Sequence, residues 1–378
     1  MTVLFLSAVA FCLYTYLVFP LVLNWRARRP KQSDQVSEEP VSDSQSVSVS
    51  IVIAAHNEAL NLPAKIESLD RLSYPSHLIE CVFVSDGSTD NTVDLLEKAS
   101  ESRPGWRVEQ YSPAAGKPTA LNAGVAVAQG DVIVFMDARQ AVSAGSVSAL
   151  VNRLSAADVG AVSGELVLSG DEGQEAANVG LYWRYEKWIR ANESGLFSTT
   201  GATGALYAIR RLDYEPLPAD TLLDDFDTPI SLLKQGKRTV FEPMAKAYDQ
   251  AEAKVSNEFK RKARTLTGNF QSFKRHPWLF NPLRNPVWWQ FLSHKVCRLL
   301  VPYALAVALI ASLVGSSWFL NLMLVVQLLF YALGMLGMLG VDNKLVNIIK
   351  VFLQLNAAAV VGAWRALRGD SGVRWRAQ

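Results

Sequence analysis

Three cysteines in 378 residues, Cys12, Cys81 and Cys297, are too few and too widely spaced for a disulfide framework or a zinc-binding pattern. Charge of one sign is also missing. With 37 Lys and Arg against 35 Asp and Glu, the net charge is only +2, and no global positive field marks a nucleic-acid partner. No G-x-G-x-x-G follows the first strand pattern, which excludes the dinucleotide fingerprint, and the absence of G-x-x-x-x-G-K-[ST] excludes a P-loop. The N-terminal apolar run has no Lys or Arg before it, so it lacks the basic start of a cleaved signal peptide.

What the chain has is apolar length. Half of its residues are hydrophobic, high for a purely soluble enzyme. Val3 to Leu23 runs without charge for about the 20 residues that cross a bilayer. It ends in Asn24-Trp25-Arg26-Ala27-Arg28-Arg29. Residues 1–25 therefore read as an uncleaved transmembrane anchor, with Trp25 at the interface and the Arg cluster holding the next part of the chain in the cytoplasm. Residues 26–47, rich in Ser, Gln, Asp and Glu, read as a flexible linker. Residues 276–298 read as an interfacial region, with Lys295 and Arg298 on the polar face of a Gln290–Arg298 helix. Residues 299–364 read as C-terminal transmembrane segments and 365–378 as a basic tail. The last apolar stretch, Val346 to Ala363, is interrupted by Lys350, Gln354 and Asn356. If it crosses, Arg365, Arg368, Arg374 and Arg376 fall outside, against the positive-inside tendency; if it is re-entrant, they stay inside. Two or three C-terminal spans remain open.

The middle, residues 48–275, alternates strand and helix patterns. Val49 to Ala55, Leu78 to Val84 and Ile133 to Met136 are apolar runs of the kind buried on both faces of a parallel sheet. Helix patterns follow Asn61, follow Ser88 or Asp90 as cap, and open at Gly116-Lys117. The alternation predicts an α/β fold with a doubly wound, mostly parallel sheet. Glu58, Asp86 and Asp137 each follow the C-terminal end of a predicted strand, the edge where such sheets bind ligands. One carboxylate there is an ordinary cap or turn residue. Several beside a Gly-rich turn and Lys117 suit a nucleotide, with carboxylates on base and ribose and a cation at the diphosphate.

These residues carry a family resemblance. Ile51-Val52-Ile53-Ala54-Ala55-His56-Asn57-Glu58 resembles the opening strand and Tyr-Asn-Glu turn of membrane-bound family 2 glycosyltransferases. Ser85-Asp86-Gly87-Ser88 resembles their Asp-Asp-Gly-Ser motif, with Ser85 for its first Asp. Gly116-Lys117 to Gly124 resembles Gly-Lys-x-x-Ala-Leu-Asn-x-Gly, and Asp137-Ala138-Arg139 stands where D-x-D belongs. Thr200-Gly201-Ala202-Thr203-Gly204-Ala205 resembles the acceptor-side Gly loop, and Leu223-Asp224-Asp225 stands where Thr-Glu-Asp is common. The motifs occur in order over roughly residues 49 to 270.

The resemblance implies a GT-A-type, Rossmann-like fold and inverting transfer of a sugar from a nucleoside-diphosphate sugar to a lipid-linked or saccharide acceptor at a bacterial inner membrane. It places Ala55, Asn57, Glu58, Asp86, Lys117, Asn122, Asp137 and Arg139 at the donor, and Gly201, Thr203 and Gly204 at the acceptor. Asp225 matches the catalytic base, with Asp224 second; the bland reading of both is an acidic helix N-terminus. Asp137 is the metal ligand implied, for Mg2+ or Mn2+. Arg139 departs from the pattern, since a guanidinium cannot ligate a cation. Three outcomes are open: Asp137 holds the metal alone with phosphates and water, Arg139 meets the diphosphate, or Arg139 turns away into a salt bridge. The segment from Phe259 to Asn269 keeps only Arg264 of the Q-x-x-R-W found in processive synthases. Arg264 is a candidate for the diphosphate, or lies on a basic helix against anionic lipid. Aromatic residues Tyr182, Trp183, Tyr185 and Trp188 are candidates for the acceptor, or for helix packing. A processive synthase and an inactive glycosyltransferase-like subunit are the competing functions.

Overall fold

The structure is a computed structural model that describes residues 1–28, 47–169, 174–250 and 255–369. Most of the expected linker and of the basic tail, Arg374 and Arg376 included, lies outside the described residues. The chain divides into two compact units. One holds residues 47–169 and 197–250, the other residues 1–28, 174–196 and 255–369.

The first unit is built on a sheet. Its strands are β1 (Val49–Ala55), β2 (Ile79–Asp86), β3 (Trp106–Tyr111), β4 (Val132–Met136), β5 (Ala141–Val142), β6 (Val159–Ser169), β7 (Leu206–Arg210) and β8 (Arg238–Gln250). Their order is β3-β2-β1-β4-β7-β6-β8-β5. The pairs β3/β2, β2/β1, β1/β4 and β6/β8 are parallel; β7 runs antiparallel to β4 and β6, and β5 to β8. This is the α/β, mostly parallel sheet expected from the strand and helix alternation.

Every residue of β1 is buried. Side chains alternate across a strand, so Ile51 and Ile53 enter one core with Leu62, Leu69, Val147 and Leu150, while Val52 and Ala54 enter the other with Ala120 and Leu121. Helices Leu62–Asp70 and Ser146–Leu154 thus cover one face, and Lys117–Val127 covers the other. Gly124 allows that last helix to sit close, because a Cβ there would stand 2.5 Å from Val52 Cγ1. The strand order reverses between β1 and β4. Connections leave those two strands in opposite directions and open a crevice at their carboxyl ends.

Among the described residues of the second unit, four helices are long and apolar enough to cross a membrane: Thr2–Ala27, Trp288–Val314, Trp318–Met338 and Lys344–Leu367. The stretch read as a separate interfacial helix, Gln290 to Arg298, is instead the beginning of Trp288–Val314. Of the polar interruptions of the last helix, Lys350 and Asn356 are buried against protein, as is Asn347, while Gln354 is half-buried; burial is the usual condition for polar groups in such helices. Gly362 permits close contact with Leu266 and Thr267 of the Val255–Arg275 helix. Helices Gln174–Leu196 and Val255–Arg275, inside the limits expected for the catalytic domain, group with the apolar helices and not with the sheet.

Candidate active site

The loops after β1, β2 and β4 leave the same edge of the sheet. Met136 of β4 pairs with Leu206 of antiparallel β7, so the loop before β7 arrives at that edge too. Asp137 N–H donates to Ala205 O at 3.4 Å.

After β1 the chain turns at Asn57, whose φ of 56° is left-handed, a region that Asn tolerates better than most residues. Its N–H donates to Ser88 Oγ at 3.1 Å, and Thr89 N–H donates to Asn57 Oδ1 at 2.7 Å. Glu58 N–H donates to Thr92 Oγ1. The turns after β1 and β2 are therefore stitched together. The Glu58 carboxylate accepts from Asn61 Nδ2 at 2.6 Å, and burial raises its pKa above the ordinary carboxylate value. Asp86 is fully buried and accepts from Ala115 N–H at 2.6 Å and Gly116 N–H at 2.8 Å, holding the turn in which Gly116 has φ 100°.

That turn delivers Lys117. Its Nζ lies 2.9 Å from Asp137 Oδ1 and 3.2 Å from Asp224 Oδ2. Burial works against the charged amine, but Asp137, Asp224 and Asp225 outweigh it and raise the Lys117 pKa. Asp224 and Asp225 open the Asp224–Lys234 helix and differ in surroundings. Asp224 is buried against Lys117, whereas Asp225 is half-buried and faces the Gly loop. Asp225 Oδ2 accepts from Gly204 N–H at 3.2 Å, and Asp225 O accepts from Ala202 N–H at 2.7 Å. Thr203 N–H donates to Ser163 Oγ at 2.9 Å, and Gly201 lies beside Asp225 O.

Arg139 forms a salt bridge: its Nε lies 3.0 Å from Asp249 Oδ1. Gln140 Nε2 donates to the other oxygen, Asp249 Oδ2, at 2.9 Å. Lys65 approaches the same turn from the sheet side. Fully buried, it donates from Nζ to Gln140 O at 3.0 Å and reaches Met136 Sδ at 3.4 Å. Burial pulls its pKa down to about 7, with Asp137 opposing. Neither Lys65 nor Asp249 is named by the motifs. The available signal was Lys65 itself, a charge three residues after Leu62 and four before Leu69 on the helix face that enters the core.

Other expected residues have surroundings of their own. Ala55 is the last residue of β1 and is buried in the core. Asn122 is engaged by its own chain: Oδ1 accepts from Tyr214 OH at 2.6 Å and Leu217 N–H at 2.9 Å, and Nδ2 donates to Leu217 O at 2.8 Å. Arg264 is exposed on the Val255–Arg275 helix of the other unit. Among the aromatic residues, Tyr185 OH donates to Tyr16 O at 2.9 Å, and Tyr185 and Trp188 pack on Phe19, Leu23 and Ile189. The side chain of Tyr182 lies outside the described residues.

Among the described residues no three His, Cys, Asp or Glu side chains form a cage for a metal ion. Asp137, with 35% of its side chain exposed, still fits a hard cation that takes one or two carboxylates and completes its shell with phosphates and water.

Residues 50–215 match the family model described as glycosyl transferase family 2. A probable glycosyltransferase of Bacillus subtilis, YdaM, is 26% identical over 249 residues, which are 64% of this chain and 58% of that protein. An undecaprenyl-phosphate 4-deoxy-4-formamido-L-arabinose transferase of Pseudomonas syringae pv. syringae is 37% identical over 98 residues, 24% of this chain and 27% of its own. The chain thus spans less than two thirds of the length of either relative. The solved mannosyltransferase PcManGT from Pyrobaculum calidifontis, in complex with GDP-Man and Mn2+, superposes with a TM-score of 0.71 at 21% identity, covering 96% of this chain and 99% of that one. This likeness is one of fold.

Proposed function

We propose that the chain, a family 2 glycosyltransferase by its match over residues 50–215, moves a sugar, with inversion, from a nucleoside-diphosphate sugar to a lipid-linked or growing saccharide acceptor. The observation that carries this reading is the pairing of two sites at one edge: the Asp137–Lys117–Asp224 chain of charges and, next in sequence, Asp225 held by the Gly loop. Asp225 takes the proton of the acceptor hydroxyl as its oxygen forms the bond to the anomeric carbon. The bond from that carbon to the diphosphate breaks, and the leaving charge is met by Lys117. Asp137 and the diphosphate oxygens would hold a Mg2+ or Mn2+ ion, which supplies further charge stabilisation when bound. Glu58 and Asn57 line the donor edge, and Asp86 shapes the turn that presents Lys117.

Support for a membrane-delivered acceptor comes from the four apolar helices and from the relative whose name specifies undecaprenyl phosphate. The setting proposed is a multi-pass protein of a bacterial inner membrane with the sheet unit in the cytoplasm, in keeping with the Arg cluster after Trp25. The test is release of nucleoside diphosphate from a panel of UDP-, GDP- and dTDP-sugars by membranes containing the chain. Turnover lost in Asp225→Asn supports the assignment. An Asp225→Asn variant at wild-type rate, with Asp224→Asn inactive, would reassign the base; no release from any donor would support an inactive subunit.

A further inference from the structure

We propose that Lys65 and Asp249 form a buried clamp on the turn from Met136 to Gln140, and that they are positioning residues setting where Asp137 and Arg139 stand. The inference rests on the reading of that turn as part of the donor site. The turn is gripped from two elements. From the Leu62–Asp70 helix, Lys65 Nζ reaches both of its ends, Met136 Sδ at 3.4 Å and Gln140 O at 3.0 Å. From β8, the Asp249 carboxylate takes Gln140 Nε2 on one oxygen and Arg139 Nε on the other. The next residues along continue the grip, since Ala141 of β5 pairs with Tyr248 of β8. Asp137 and Ala138 thus lie between two anchored points, and Asp137 is the one that meets Lys117.

Stability alone does not call for this arrangement. Lys65 is 0% exposed and Asp249 5% exposed. Burying charge costs free energy, and apolar residues of similar volume often serve stability as well or better. A helix face that already carries Leu62 and Leu69 would pack as readily with Met at position 65. What the charges supply is direction: a donor aimed at one carbonyl and a carboxylate bridging two neighbouring side chains. A misplacement of about 1 Å at a reacting group is enough to cost a large factor in rate.

The test uses the full chain in detergent, with Lys65→Met, Gln140→Met and Asp249→Asn. Binding of UDP and of GDP, each with Mn2+, is measured by calorimetry, and KM is measured for donor and acceptor separately. The clamp predicts variants whose unfolding midpoint stays within about 4 °C of wild type. Their nucleotide Kd and donor KM rise about ten-fold while acceptor KM holds. If Lys65→Met does not fold, Gln140→Met, which alters no charge, decides by the same readout. Folded variants with wild-type nucleotide affinity and donor KM would overturn the proposal. So would donor and acceptor KM rising together with falling stability, or unfolding of all three, since either makes the clamp a stability element only. Failure of the wild-type chain to bind either nucleotide would remove the donor-site reading, and the clamp with it.

Discussion

Lys117 Nζ stands 2.9 Å from Asp137 Oδ1, so the chain places its own cation on the carboxylate that stands where a D-x-D motif would begin. The same ammonium reaches Asp224 Oδ2 at 3.2 Å. Lys117→Met leaves two carboxylates facing each other without a counter-charge and takes away a positive charge for the departing diphosphate. Turnover is expected to fall about 10²- to 10³-fold, the scale found when a single charge-stabilising donor is lost. Lys117→Arg restores charge but not shape and is expected to recover only part of it. Release of nucleoside diphosphate at saturating donor measures both.

Metal binding is governed by the same contact. A divalent ion approaching Asp137 alone competes with Lys117, whereas one arriving with a diphosphate brings its own oxygen ligands. Mn2+ titrated without nucleotide is expected to bind at least about ten-fold more weakly than Mn2+ titrated with UDP or GDP present. EDTA is expected to abolish turnover and added Mn2+ to restore it. Full activity in EDTA would leave Lys117, and not a metal, as the partner of the diphosphate.

Gly204 lies close against Asp225. A Cβ there would lie 3.2 Å from Asp225 Oδ2, close enough to displace the carboxylate by a few tenths of an ångström. Asp225 is half-buried and can give way, so Gly204→Ala should fold. The displaced base should lower kcat about ten-fold, with donor KM little changed. Equal kcat for variant and wild type would disconnect Gly204 from the base.

Much of this edge was legible because its causes are local. An apolar run with no polar alternation, as in β1 and β4, can only be buried on both faces, and the carboxylates after such runs must then gather at one edge. Asp225 and the Gly loop stood out only through their resemblance to family motifs, and the structure puts the two in contact. What escaped were contacts between residues far apart in sequence. The amide of Asn122 donates to Leu217 O, 95 residues on. The salt-bridge partner of Arg139 is Asp249 of β8, 110 residues later by their numbers. Gly362 of Lys344–Leu367 gives no sign of its neighbours until Leu266 and Thr267 of the Val255–Arg275 helix come against it. In each case the partner lies outside any window that local periodicity can read.

The helical unit holds a buried cluster of ionisable side chains. Arg298 pairs with Glu186, and His294 Nδ1 lies 2.7 Å from Glu193 Oε1. Tyr16 and Tyr185 flank the Arg298 guanidinium, with ring centroids at 5.9 and 5.5 Å. Removing one partner leaves the other charge buried, so Arg298→Met is expected to destabilise the chain in detergent by about 3–5 kcal/mol. The double variant Arg298→Met, Glu186→Leu removes both and is expected to recover a large share of the loss. Unfolding midpoints in one detergent give the comparison, and a double variant no better than the single would mean that packing, not charge, dominates.

Lys65 makes stability depend on pH in a direction opposite to that of most paired lysines. Its pKa in the folded chain is about 7, lowered by burial, against an ordinary value of about 10.4. Between those values the unfolded chain binds a proton that the folded chain does not, so stability rises with pH across this window. Below about 7 both states are protonated and the cost of burying the ammonium is present in full; above about 10.4 neither is, and that cost is gone. Lys65→Met has nothing to titrate. Wild type should therefore gain stability relative to Lys65→Met as pH is raised from 7 to 10, with a limiting slope of about 1.4 kcal/mol per pH unit. Denaturation of both proteins at a series of pH values gives the difference directly, since ionisations common to the two cancel. A difference that stays flat from pH 7 to 10 would mean that Lys65 keeps an ordinary pKa. Its ammonium would then be solvated or fully compensated, and the close approach to Met136 and Gln140 would not cost the protein a buried charge.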